Sequence, residues 1–120
     1  TCGADGLAGD PLSGMELSNV ALWRAVLNQL EESPRTVVLG GGGYNPWTLA
    51  RCWTGLWGLL SGRTLPATLP PGAQAVLRNL ECDLVDDEDI DPLWITTLAD
   101  DPHQAVVRPE LVDLVGRVLQ

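Results

Sequence analysis

The stretch TVVLGGGGYNPWTLARCWTG places four consecutive glycines, residues 40–43, directly before a tyrosine. Each glycine inside regular structure costs roughly 0.5–1 kcal/mol relative to alanine, through lost backbone entropy. Four in succession therefore serve close approach, positive φ, or both. Upstream, Thr36, Val37, Val38 and Leu39 are β-branched or apolar, a short run of the kind that makes a fully buried strand. Downstream, Asn45 reads as a helix N-cap and Pro46 as the first helical residue. Leu49, Cys52, Trp53, Leu56, Leu59 and Leu60 follow at helical spacing. The glycines thus fall on a strand-to-helix turn at the carboxyl end of an expected parallel strand. Open α/β sheets place their ligand sites there.

The remaining pattern is mostly helical. Residues 1–10 read as a strand end running into a glycine-rich loop. Ser18 is a plausible N-cap for a helix that ends near Glu32, with Val20, Trp23, Val26, Leu27 and Leu30 as its apolar stripe. Ser33 and Pro34 break it. The helix that starts at Pro46 is expected to reach Ser61, and the connector LPATLPPG follows. Residues 73–82 read as a short helix with Val76, Leu77 and Leu80 inward. Asp91 and Pro92 open another through Leu98. A last helix over 110–119 carries Leu111, Leu114, Val115 and Val118 on one face. Two short strands against four or five helices do not make a stable sheet alone. The expected class is α/β: one part of an open parallel-sheet fold, mostly helical in this segment. The rest of the sheet belongs to a larger protein, or association completes it. An unpaired edge at residues 36–39 would favour a homo-oligomer. The opening Thr1-Cys2-Gly3, without a methionine, reads as an excerpt or a processed chain.

Bulk properties narrow the function. At 120 residues the chain is about one domain, and a hydrophobic content of 45% argues against disorder. No apolar run approaches the roughly 20 residues that span a bilayer. A formal net charge of −9 argues against a basic nucleic-acid face. Asp83, Asp86, Asp87, Glu88, Asp89 and Asp91 form an acidic cluster, read as a solvated loop. A Ca²⁺ loop would need the glycine and terminal glutamate that this cluster lacks. Cys2, Cys52 and Cys82 are odd in number, far apart and outside any C-x-x-C. They fit buried thiols in a reducing cytoplasm better than a disulfide framework or a zinc knuckle.

Few side chains here suit chemistry. Asp5, among glycines in CGADGLAGD, reads either as a metal ligand or general base facing a cavity, or as an Asx-turn residue stabilising the loop. Asp10, before Pro11, reads as structural. Tyr44 reads either as a phenol donating to a developing oxyanion or as a core tyrosine with its hydroxyl satisfied. The glycine run is a weak phosphate cradle, since Gly-Lys-Ser/Thr is absent and Tyr44-Asn45 stands where G-x-G-x-x-G needs its last glycine. His103 is the only histidine and reads as a surface residue rather than a catalytic one. No Ser-His-Asp set or two-histidine metal pair can be assembled. Thr1 as an N-terminal nucleophile is the remaining option.

Two stretches together carry a resemblance. CGADGLAGDPLSGMELS (residues 2–18) and LGGGGYNPWTLARCWT (residues 39–54) resemble the C-terminal catalytic segments of the zinc-dependent histone deacetylase family, nearest its bacterial acetoin-utilisation branch. The interval between Asp5 and Tyr44 is the one the family uses. The resemblance divides the chain into a catalytic-motif part, residues 1–62, and a helical tail with the acidic loop, residues 63–120. It implies an arginase/deacetylase-like open parallel-sheet fold. It implies that Tyr44 hydrogen-bonds the acetyl carbonyl and its oxyanion, and that Asp5 is a ligand of the catalytic zinc. It implies that Leu12, Gly41, Gly42 and Gly43 line a narrow channel for the acyl-lysine arm, which side chains at the glycine positions would block. Arg51, Cys52 and Trp53 match a supporting helix.

The reaction so implied is amide hydrolysis of an acetylated lysine or small acetylated amine. Zinc polarises the carbonyl and activates water, a histidine takes the proton, and Tyr44 steadies the oxyanion. The family's paired histidines and its Asp-x-His ligands have no counterpart in these 120 residues. The isolated chain is therefore expected to be inactive, as the C-terminal portion of a larger deacetylase. The alternative is a non-catalytic truncated homologue that serves as a binding or oligomerisation module.

Overall fold

The structure is a computed structural model, and it describes residues 1–101 and 106–118. Five α-helices follow one another: α1 (Asn19–Glu31), α2 (Pro46–Leu60), α3 (Pro71–Arg78), α4 (Pro92–Thr96) and α5 (Pro109–Val118), with a 3-10 turn at Asp87–Asp89. His103 lies outside the described residues.

Helix starts follow from local chemistry. Ser18 Oγ accepts from the Ala21 amide at 3.2 Å at the head of α1. Asn45 Oδ1 accepts from the Trp47 and Thr48 amides at 3.1 and 3.2 Å, with Pro46 in the first turn of α2. Asp91 caps α4 by accepting from the Leu93 amide at 2.8 Å. Each cap satisfies donors that a helix start leaves without partners.

Helix α2 is the central element. It buries Trp47, Thr48, Arg51, Cys52, Gly55, Leu56 and Gly58. Helix α1 crosses it where Gly55 leaves room: a Cβ there would overlap the Trp23 ring. The Trp23 indole then donates to the Cys52 carbonyl at 2.8 Å. On the other side the Trp47 indole donates to the Leu77 carbonyl of α3 at 2.8 Å. Leu7, Trp23, Trp47, Cys52, Leu56 and Leu98 belong to one buried cluster, so the two parts of the chain share a core. No residue of α5 is buried.

The expected strand over 36–39 does not form, and among the described residues no strand does. Val37 is 80% exposed and Leu39 56%. This segment meets residues 2–4 through two backbone bonds, from the Cys2 amide to the Leu39 carbonyl and from the Ala4 amide to the Gly42 carbonyl. The spacing is two residues on one side and three on the other, so the register slips and no ladder propagates. With no strand among the described residues, the structure offers no sheet edge to support a homo-oligomer. Isolated bridges join Leu7 to Leu17 and Thr68 to Thr97.

Two helices are shorter than their apolar pattern suggested. Helix α3 stops at Arg78, where the Asn79 side chain donates back to the Ala75 carbonyl at 2.8 Å. Helix α4 stops at Thr96. There the Thr96 carbonyl accepts from Leu69, and the Thr97 carbonyl accepts from Arg51, so tertiary partners take groups the helix would have used. The acidic cluster is exposed throughout, as a solvated loop should be. No described helix is long and apolar enough to cross a membrane.

Candidate active site

Two loops form the site: residues 3–12, and the turn 40–45 that feeds α2. Asp10 joins them. Its carboxylate is only 6% exposed, with Oδ1 accepting from the Leu12 amide at 2.9 Å and Oδ2 from the Tyr44 amide at 2.8 Å. Asn45, while capping α2, also donates from Nδ2 to the Gly9 carbonyl at 2.9 Å. Residues 9 and 10 are thus tied to residues 45 and 44 by side chains running in opposite directions.

The glycines answer the question their run poses in both ways. Gly43 has φ +144°, in the range that side chains rarely adopt, and a Cβ there would stand 2.9 Å from Leu49 Cδ1. Gly41 and Gly42 serve close approach. A Cβ at Gly41 would lie 3.0 Å from Gly3 Cα, and one at Gly42 would lie 2.7 Å from Asp5 Cγ and 2.9 Å from each carboxylate oxygen. From the other side a Cβ at Gly3 would collide with Asp5 Oδ1. The Asp5 carboxylate is therefore half-buried and bracketed by two bare backbones, one of them Gly42, which stands two residues before Tyr44. The Tyr44 side chain is 45% exposed and Leu12 is 63% exposed. Both project from the rim that Asp10 ties together.

Among the described residues no three His, Cys, Asp or Glu side chains gather as a metal site. A zinc site with an open position takes three protein ligands. Asp5 can be one, and the described residues do not complete the set. Cys52 is no substitute. It is fully buried, burial pushes its thiol up to about 11, and the thiolate is the form that binds metal.

Behind the site, Arg51 is 2% exposed. Its Nε donates to the Thr97 carbonyl at 2.7 Å and Nη2 to Thr97 Oγ1 at 3.1 Å. Nη1 stands 2.8 Å from Asp100 Oδ1 as an ion pair, off the line of a hydrogen bond. Asp100 in turn accepts from the Asn19 amide at 2.7 Å, while Asn19 Oδ1 accepts from the Asp100 amide at 2.9 Å. The supporting role read for Arg51 and Cys52 thus has partners: Arg51 fastens the tail to α2, and Cys52 receives Trp23. Asn19 and Asp100 escaped the sequence reading, because they lie 81 residues apart and neither sits in a motif.

Comparison with known proteins bears on the family of the chain. Residues 1–60 match the histone deacetylase domain model. Histone deacetylase 8 of Xenopus laevis is 40% identical over 68 residues, 57% of this chain and 21% of that protein. Histone deacetylase HOS1 of Saccharomyces cerevisiae is 30% identical over 115 residues, 94% of this chain and 22% of that protein. The crystal structure of an HDAC homolog from Aquifex aeolicus superposes with TM-score 0.84 at 39% identity, covering 96% of this chain and 31% of the other. An HDAC homolog complexed with SAHA superposes with TM-score 0.81 at 37% identity. The chain thus spans under a third of the length of each of these relatives. With the family model covering half its length and both site loops falling within the match, the chain belongs to the histone deacetylase family.

Proposed function

We propose that this chain carries one wall of a zinc-dependent deacetylase site and works as the C-terminal portion of a larger amidohydrolase. The observation that carries the reading is the Asp5 carboxylate bracketed by Gly3 and Gly42, the second of which lies on the turn that presents Tyr44. Asp5 is one metal ligand, and the other ligands and the proton-accepting histidine come from outside this chain. A zinc ion in such a site supplies Lewis acidity and an activated water.

The chain's own contributions are three. Tyr44 offers its phenol to the acyl oxygen as negative charge develops there. Leu12 and the bare turn at Gly41, Gly42 and Gly43 flank the acyl-lysine arm and leave it room. Arg51 and Asp10 hold these pieces in register. The substrate class is an acetylated lysine or small acetylated amine. The open parallel sheet of the arginase/deacetylase fold is supplied by chain outside these residues. The placement nearest the bacterial acetoin-utilisation branch rests on the two sequence motifs, residues 2–18 and 39–54. A cytoplasmic setting fits three free cysteines.

The test compares the whole protein that carries this chain with the chain alone on an acetyl-lysine substrate. The whole protein should deacetylate and lose activity to a chelator, while the 120 residues alone should do neither. In the whole protein, Tyr44→Phe should lower kcat about 10²–10³-fold with KM little changed, the cost of one oxyanion donor. Chelator-sensitive turnover by the isolated chain, or full activity of Tyr44→Phe, would overturn the proposal.

A further inference from the structure

We propose that Asp10 is a positioning residue for Tyr44: its buried carboxylate holds the Leu12 and Tyr44 amides at once, and so sets where the phenol stands relative to the Asp5 loop. This inference rests on the deacetylase reading above. Four glycines leave the residue that follows them poorly restrained by its own backbone. The Tyr44 side chain is 45% exposed, so packing does little to fix it either. Restraint must come from the ends of the turn.

Two strong side-chain bonds provide it, beside a weak one from the Cys82 thiol to the Tyr44 carbonyl at 3.8 Å. Asn45 reaches back to the Gly9 carbonyl at 2.9 Å, and Asp10 reaches forward to the Tyr44 amide at 2.8 Å. The backbone bond from the Ala4 amide to the Gly42 carbonyl joins the loops within the turn, and these two adjacent ties on different residues fix its end, at Tyr44. Asp10 carries the greater demand of the two. A carboxylate 6% exposed has surrendered its water and needs acceptor bonds to both oxygens. Here both oxygens go to backbone amides, as charge-assisted bonds. Because the second amide is that of Leu12, one side chain spaces a residue of the channel rim from the tyrosine.

The test uses the whole protein, with Asp10→Asn, Tyr44→Phe and the double variant. Asn keeps the shape and removes one acceptor. Hydrogen exchange at the Tyr44 amide should be slowed at least about 100-fold in the unmodified protein, relative to an unstructured peptide, as expected for a closed amide that opens only locally. Asp10→Asn should lose most of that protection, lower kcat about tenfold or more and leave KM within about threefold, the pattern of a misplaced rather than missing group. In the Tyr44→Phe background it should cost little further. Free exchange at Tyr44 in the unmodified protein overturns the inference whether or not Asp10→Asn folds. So does an Asp10→Asn loss that multiplies fully with that of Tyr44→Phe. If the unmodified protein shows no deacetylase activity, the proposed function fails, and the exchange data still decide whether Asp10 holds Tyr44.

Discussion

Replacing Gly42 by alanine should separate site geometry from stability. The added carbon would stand 2.7 Å from Asp5 Cγ and 2.9 Å from both oxygens, where ordinary contacts lie at 3.4–4 Å. The carboxylate must therefore recede by about 0.7–1 Å. Gly42 does not have a positive φ, so the alanine backbone is unstrained, and the chain gains about 0.4–1 kcal/mol from a less mobile unfolded state. Displacing a short side chain costs a similar amount, about 0.5–1.5 kcal/mol if it leaves its rotamer well. The two nearly cancel, so the melting temperature should hardly move. The ligand position is less forgiving, since an error of about 1 Å can cost about 10²-fold in rate. The control lies in the same turn: a Cβ at Gly40 meets nothing nearer than Trp53 Cζ2 at 3.5 Å. In the whole protein, bound zinc measured by atomic absorption and kcat on acetyl-lysine should both fall in Gly42→Ala and persist in Gly40→Ala. Equal zinc and turnover in the two variants would refute the placement of Asp5 against Gly42 as a functional contact.

Other substitutions probe the frame. Arg51→Met should lower the unfolding free energy by about 2–4 kcal/mol in denaturant titration, because it leaves Asp100 without its ion pair and the Thr97 carbonyl without its donor. Asn45→Ala should cost about 1–2 kcal/mol, since it removes the cap of α2 together with the tie to Gly9. Burial raises the Cys52 thiol from 9.0 to about 11, so the folded chain keeps it neutral while the unfolded chain ionises it first. Its contribution to stability is complete below about pH 9 and is lost as pH rises through about 11, which melting curves across that window will register in the unmodified chain and not in Cys52→Ala. A thiol reagent at pH 8 should label the half-buried Cys2 and Cys82 before the buried Cys52.

Local chemistry was written in the chain. Asn45 before Pro46, Ser18 before Asn19 and Asp91 before Pro92 announced three helix starts, because a cap needs only a side-chain oxygen and the next two or three amides. The two motifs flanking Asp5 and Tyr44 identified the family for the same reason, since each is contiguous. The run at residues 36–39 misled, because β-branched composition specifies an extended backbone and not the neighbour that would pair with it. Here residues 2–4 lie alongside but out of register, bonding Leu39 and Gly42, and Val37 is exposed. The glycine run announced a close approach without saying to what. Only the fold showed that Gly42 lies against the Asp5 carboxylate and that Asp10 clasps Tyr44 across 34 residues. Arg51 lay in a recognised motif, yet its partners Thr97 and Asp100 could not be read, because no periodicity links positions that distant. Caps and motifs act over a few bonds and survive in the one-dimensional string. Which carboxylate meets which amide depends on how two loops and two helices pack, and that is settled only when the chain closes on itself.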